Sequence, residues 1–219
     1  ATNFTDALRL YSAMREEPLP KLQAAEYNTL KIAINTANWK TVSLGQNKFR
    51  RHVTRLLKSR GASLRKIEQM PTPFQGAIMK YEFKPHLEEY LSTSAASRKT
   101  LKEIVEYYEA NPDTMMKYGN TLLKAALEET PGGLQSGEYL RAMEERSKMM
   151  REVREELADY DAVIVCGPTN IMHFCGLPSV TIAGSQTNSF GVRQGLMMYG
   201  VDEYRLYRAA LAIEKIIGD

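Results

Sequence analysis

Few side chains in this sequence can do chemistry, and they are scattered. Cys166, His173 and Cys175 form the sharpest group by residue type. A cysteine becomes a nucleophile when a base lies within hydrogen-bond reach and a pair of donors waits for the oxyanion. Both cysteines stand among apolar residues, where a buried, inert thiol is the commoner outcome. Gly132-Gly133-Leu134-Gln135-Ser136-Gly137 has the look of a nucleophile loop. Ser136, however, immediately precedes a long helical pattern, where a serine serves as an N-cap. The three histidines, His52, His86 and His173, fall in separate elements. With no His-x-x-x-His and no Cys-x-x-Cys, a metal site is not expected. No Gly-x-Gly-x-x-Gly and no Walker-type lysine loop occurs, so no cofactor is expected either.

What the residues do offer is a pocket edge. The apolar run Ala162-Val163-Ile164-Val165-Cys166 stops at Gly167-Pro168-Thr169-Asn170. Proline has no N–H for a strand ladder, so the run ends there. Loops just past the carboxyl ends of parallel strands are where α/β sheets bind ligands. Gly167, Pro168, Thr169 and Asn170 are therefore the best pocket wall in the sequence. The plain alternative is a tight turn.

The elements that must position this edge follow from apolar periodicity. Further short runs at 178–183 and 194–199, bounded by Gly and Pro, read as buried strands, and Asp202 to Ile217 as a closing helix. Upstream, Leu30 to Asn35 and Ser63 to Met70 read as strands joined by a helix from Leu44 to Arg60, a βαβ unit. Thr2 to Met14 reads as a helix with Ala7, Leu8, Leu10, Tyr11 and Met14 inward, capped by Thr5 or Asp6, before a Pro18-Leu19-Pro20 linker. Residues 74–158 read as helices only. Phe74 to Leu91 is expected to kink or split at Pro85. Lys99 to Tyr108 follows, then a helix capped by Asp113 and running through Met115, Tyr118, Leu122, Leu123 and Leu127. Ser136 then caps a helix to Leu157 with Tyr139, Leu140, Met143, Met150, Val153 and Leu157 inward.

The chain has 219 residues, enough for one large domain or two small ones, with 43% apolar and 25% charged residues. A formal charge of +3 is too weak to imply a polyanionic partner. The helix 44–60 does carry Lys48, Arg50, Arg51, His52, Arg55, Lys58 and Arg60, a face that phosphates would suit. No aromatic residues interleave with them, and a solvated outer face is the simpler reading, so no nucleic-acid partner is expected. No apolar run approaches membrane-spanning length. Two cysteines in apolar surroundings fit a reducing, cytoplasmic compartment.

The last third of the chain resembles the carboxyl-terminal part of the amidase signature family, which hydrolyses amides with a Ser–cis-Ser–Lys triad. The resemblance is carried by Tyr160-Asp161 before the apolar run that ends in Gly167-Pro168-Thr169. It continues through Phe174-Cys175-Gly176-Leu177-Pro178 and the strand after it. It closes with Gly191-Val192-Arg193-Gln194-Gly195-Leu196-Met197-Met198-Tyr199-Gly200 and the helix holding Glu203, Ala209, Ala210 and Glu214. Weaker likeness runs upstream through Thr5-Asp6-Ala7, Leu30-Lys31-Ile32-Ala33, Gly61-Ala62, Tyr118-Gly119 and Tyr139. Arg193 stands where the family usually has proline and Met197 where glutamine is common. These departures leave substrate and subfamily open.

The resemblance implies a partial amidase signature fold: an α/β architecture, a mixed sheet of about four to six strands with helices on its faces. It implies a substrate-pocket wall of Gly167, Pro168, Thr169, Asn170, Met172, His173 and Phe174, facing a small-molecule amide. The family's serine- and glycine-rich signature matches no position here, so no catalytic residue is assigned within the chain. Residues 1–219 are thus expected to be the C-terminal portion of an amidase domain. The catalytic N-terminal half would be its missing partner, and an exposed apolar surface would support a homodimer when the chain stands alone. The competing reading is a complete, non-catalytic α/β binding or interaction module.

Overall fold

Among the described residues, five short strands pair into one mixed sheet in the order β2-β1-β3-β5-β4. The computed structural model describes residues 1, 3–16, 18, 21–68, 72–187 and 191–218. The strands are β1 (Lys31–Asn35), β2 (Ser63–Ile67), β3 (Ala162–Val165), β4 (Ser179–Thr187) and β5 (Arg193–Tyr199). The helices are α1 (Phe4–Arg15), α2 (Leu44–Ser59), α3 (Gln75–Thr93), α4 (Leu101–Ala110), α5 (Pro112–Met115), α6 (Thr121–Glu128), α7 (Gly137–Leu157), α8 (Ile171–Phe174) and α9 (Glu203–Gly218). Thr2, Leu19, Pro20 and Met70, read from the sequence as a helix start, linker residues and a strand end, lie outside the described residues.

The chain forms two compact units. The first, Ala1–Pro71 with Met150–Asp219, holds the whole sheet. Its β1 runs parallel to β2 on one side, with Ile32 opposite Leu64, and parallel to β3 on the other, with Ile34 opposite Ile164. The sheet then turns antiparallel: β5 pairs with β3, and β4 with β5. Ile32, Ile164, Val180, Ile182, Leu196 and Met198 form one core with Phe49, Val53 and Leu57 of α2 and with Leu206, Ala209, Ala210 and Ile213 of α9. Period-two alternation sends Ala33, Val163 and Tyr199 to the opposite face, where they are also buried.

Helix α1 docks on α9 through carboxylates. Glu214 accepts the backbone N–H of Phe4 at 2.6 Å. Glu203 Oε1 accepts the hydroxyls of Tyr11 and Tyr207, each at 2.7 Å, and its Oε2 pairs with Arg15 at 3.0 Å. Burial alone would raise the Glu203 pKa, but the two hydroxyls and the guanidinium outweigh it and hold the carboxyl below its usual range. The same contacts push the Tyr207 hydroxyl well above its ordinary value, with burial as the largest cause. The cap of α1 is Asn3, whose side chain accepts from Asp6 N, not Thr5 or Asp6 as the sequence suggested. Leu10 and Met14, expected inward, are exposed.

The second unit, Thr72–Met149, is helical. Leu101, Val105 and Ala126 are its core, with Leu87, Leu123 and Leu127 packed against them. Helix α3 runs unbroken through Pro85, contrary to the expected split. The missing N–H there removes one ladder bond without ending the helix. The single helix read from Asp113 onward is two, α5 and α6, which follow Asn111 and Asn120 without a side-chain cap bond, and Asp113 lies in the first turn of α5. Ser136 caps the start of α7, its Oγ accepting Tyr139 N–H at 3.1 Å. Leu140, expected inward on that helix, is exposed.

Candidate functional site

The site expected from the sequence lies past the carboxyl ends of β1 and β3. These strands lie side by side and parallel, with Asn35 opposite Val165. The chain leaves β1 toward β2 on one side, while β3 flanks it on the other. In open α/β sheets such a reversal of strand order is where a gap between the two departing loops is expected. The loops are Thr36–Ser43 after β1 and Cys166–Asn170 after β3.

Here the two loops are stitched together. Asn38 adopts the left-handed conformation with φ 52°, tolerable for asparagine. Its Nδ2 donates to Pro168 O at 2.8 Å. Its own carbonyl accepts Thr41 Oγ1 at 2.7 Å and Thr41 N at 3.0 Å. Gly167 sits directly against this turn: a Cβ at that position would lie 2.2 Å from Asn38 O. Only glycine permits so close a backbone approach. From β1, Asn35 is fully buried, its Oδ1 accepting Ala37 N at 3.1 Å and its Nδ2 donating to Tyr199 Oη at 3.4 Å. Burial pushes the Tyr199 hydroxyl up to about 12, against a smaller lowering from Asn35.

Helix α2 braces both loops. Asn47 Nδ2 donates to Trp39 O at 3.0 Å. Arg50, only 9% exposed, donates from Nη1 to Cys166 O at 3.3 Å. The basic face read as solvated is so for Lys48, Arg51, His52, Arg55, Lys58 and Arg60, but Arg50 turns inward. No sequence signal separates it from its neighbours, and none marks Asn35 or Asn38.

The residues expected to line a pocket divide by exposure. Pro168, Asn170 and His173 are exposed, Thr169 is half-buried, and Gly167, Met172 and Phe174 are buried. Thr169 Oγ1 accepts Ile171 N at 3.2 Å, and Asn170 O accepts Phe174 N at 2.9 Å, opening the single-turn α8. Cys166 and Cys175 are buried and unbridged. Burial raises the Cys166 pKa despite the charges of Arg50 and Lys66, so a thiolate is disfavoured there. Ser136 is committed to its cap. Among the described residues no cluster of metal-ligating side chains occurs, and no helix is long and apolar enough to cross a membrane. The Asn, Thr and backbone groups at this strand end are thus largely engaged with one another.

A mixed five-stranded α/β sheet with helices is the architecture of solved amidases over part of their length. No protein-family model matches the chain, and no curated protein sequence matches it. Solved structures do. An amidase family protein from Bacillus anthracis str. Ames superposes with a TM-score of 0.73 at 18% identity, over 89% of this chain and 40% of its own. The peptide amidase of Stenotrophomonas maltophilia gives a TM-score of 0.69 at 20% identity, over 88% of this chain and 44% of its own. A single-site variant of the allophanate hydrolase from Kluyveromyces lactis gives 0.66 at 16% identity, over 98% of this chain and 38% of its own. The chain has their fold and spans less than half the length of each.

Proposed function

We propose that this chain is the C-terminal, scaffold-and-pocket portion of an amidase that hydrolyses carboxylic amide bonds, with residues 1–219 forming one portion of that domain. In this reading the nucleophile and its base lie in further polypeptide. One observation supports it above the others: the fold likeness takes in 89% of this chain but 40% of the amidase it is matched to. Gly167, Pro168, Thr169 and Asn170 form the wall against which a small amide lies. His173 stands at the rim, and Met172 and Phe174 support the wall from within. Alone, the chain is inert toward amides, because covalent hydrolysis needs a nucleophile, a base and an oxyanion loop. Its exposed apolar side chains in the first unit, Leu10, Met14 and Leu44 among them, then favour self-association.

The test begins with the coding sequence upstream of Ala1. A serine- and glycine-rich segment is expected there, and the longer product is expected to release ammonia from simple carboxamides while the 219-residue chain does not. Turnover by the short chain, or a longer product inert across a broad amide panel, refutes the proposal. The second of those outcomes favours a non-catalytic binding module.

A further inference from the structure

The exposed face of α2 has no part in the site described above. From Tyr27 to Ile67 the chain carries ten lysines and arginines and no aspartate or glutamate. The whole chain is only +3, so the remaining residues together are −7 and the overall charge conceals this stretch. A helix turns about 100° per residue, which brings Leu44, Lys48, Arg51, Arg55 and Lys58 within about 80° of arc. All five are exposed. Phe49, Val53 and Leu57 occupy the opposite, buried side. Among the described residues no carboxylate pairs with Lys48, Arg51, Arg55 or Lys58.

Two apolar side chains stand at the head of this stripe. Leu44 is 71% exposed and lies near the middle of the arc, in the first turn of α2. Trp39 is 40% exposed, in the short turn before the helix. Its carbonyl accepts Asn47 Nδ2, which ties the Trp39 backbone to the second turn of α2. The Lys40 ammonium lies 5.8 Å from the centre of the Trp39 ring, one more cation beside the exposed indole. Tryptophan favours the boundary between water and lipid, where its ring meets hydrocarbon and its N–H stays wet. A duplex of nucleic acid would use the cations but gain nothing from Leu44. A second copy laid along the stripe would set cation against cation.

We propose that this face docks on an anionic lipid surface, with Lys48, Arg51, Arg55 and Lys58 along the headgroups and Trp39 and Leu44 entering the acyl boundary. Charge and apolar tips each supply part of the attraction, as in helices that lie in the plane of a membrane without crossing it. Each cation near such a surface is worth about fivefold in affinity, so the attachment is reversible and sensitive to salt. The inference stands apart from amide hydrolysis, since its test measures membrane binding alone.

The full chain is mixed with vesicles of phosphatidylcholine alone or containing about one-third phosphatidylserine, and binding is read by co-sedimentation and by emission. Trp39 is the one tryptophan, so its spectrum reports on this face without labelling. The chain is expected to bind the anionic vesicles with blue-shifted emission, to leave the neutral ones, and to dissociate as salt rises. The double variant Arg51→Gln with Arg55→Gln is expected to weaken binding at least about tenfold, and Leu44→Ser about threefold to tenfold. All three side chains are exposed, so the melting temperatures are expected to hold. The proposal is overturned by absent binding, by equal binding to neutral vesicles, by an unshifted Trp39 spectrum, or by indifference to either variant. Tighter binding to a DNA duplex than to anionic vesicles, lost in the arginine variant and kept in Leu44→Ser, also overturns it and assigns the face to nucleic acid. Self-association that Leu44→Ser abolishes overturns it in favour of a second copy of the chain.

Discussion

Substituting Gly167 by alanine tests the junction on which the candidate site rests. The added methyl would meet Asn38 O at 2.2 Å, its carbonyl carbon at 2.4 Å and its Cβ at 2.8 Å. Two of these neighbours are backbone, so no rotamer change relieves them. Bringing the closest contact out to 3.0 Å requires the loops to part by about 0.8 Å. Overpacking of this kind costs about 1–3 kcal/mol. Parting the loops also strains or breaks the Asn38–Pro168 hydrogen bond, about 1 kcal/mol more. The expected loss is about 2–4 kcal/mol, which for a chain of this size lowers the melting temperature by roughly 5–15 °C. Because the chain has two units, a global melt need not be two-state. Trp39, the one tryptophan, follows Asn38 directly, so its emission reports on this loop alone. Urea unfolding followed by Trp39 fluorescence, beside circular dichroism, is the assay. Gly76→Ala, where nothing lies within 4 Å, is the control and is expected to stabilise by about 0.5–1 kcal/mol. A Gly167→Ala chain that unfolds at the wild-type midpoint with unaltered Trp39 emission refutes the reasoning.

Arg50→Met is expected to destabilise the chain by about 2 kcal/mol in urea titrations, through the lost bond to Cys166 O, whereas exposed Arg51→Met changes it by less than about 0.5 kcal/mol. Glu203 titrates below its usual value of 4.5 in the folded chain, so its stabilisation is present above that unfolded value and is lost as pH falls through the lower folded one. Glu203→Gln is expected to be less stable at pH 7 and to lose part of the acid-side slope, read from melting temperature against pH; equal slopes contradict the assignment. Cys166 and Cys175, both buried, should resist a thiol reagent at pH 8 in the native chain and react promptly in urea. Fast native labelling of Cys166 would contradict its raised pKa.

The apolar runs at 162–166 and 194–199, which became β3 and β5, were legible because a buried strand needs continuous apolar residues and a Gly or Pro to stop it. The βαβ unit showed itself through the stripe of Phe49, Val53, Leu56 and Leu57 and the Gly61 turn, which has φ 94°. The loop at Gly167 was marked by residue type, but its counterpart at Asn38 was not. Left-handed asparagine leaves no periodic trace, and its role exists only once β1 and β3 are neighbours. Arg50 hid among basic residues for the same reason: helical phase alone could not say that the sheet ends beneath that turn. In the helical unit the errors were local. Pro85 suggested a kink or a split, and the split does not occur, while the boundary between α5 and α6 was marked by Gly119-Asn120, with Gly119 at φ 73°, a turn signal set aside in favour of one long helix.

The sheet's connectivity sets a timetable for synthesis. Ile32 of β1 pairs with Ala162 of β3, a partner 130 residues downstream. At roughly 5–20 residues per second, the inner edge of β1 waits on the order of 7–26 s before its mate is made. Throughout that interval an apolar strand is exposed on the ribosome with β2 alone beside it, while the helical unit emerges and is free to fold. Any ribosomal stall between residues 72 and 161 prolongs this exposure, so yield in a heterologous host is expected to depend on codon speed across that stretch.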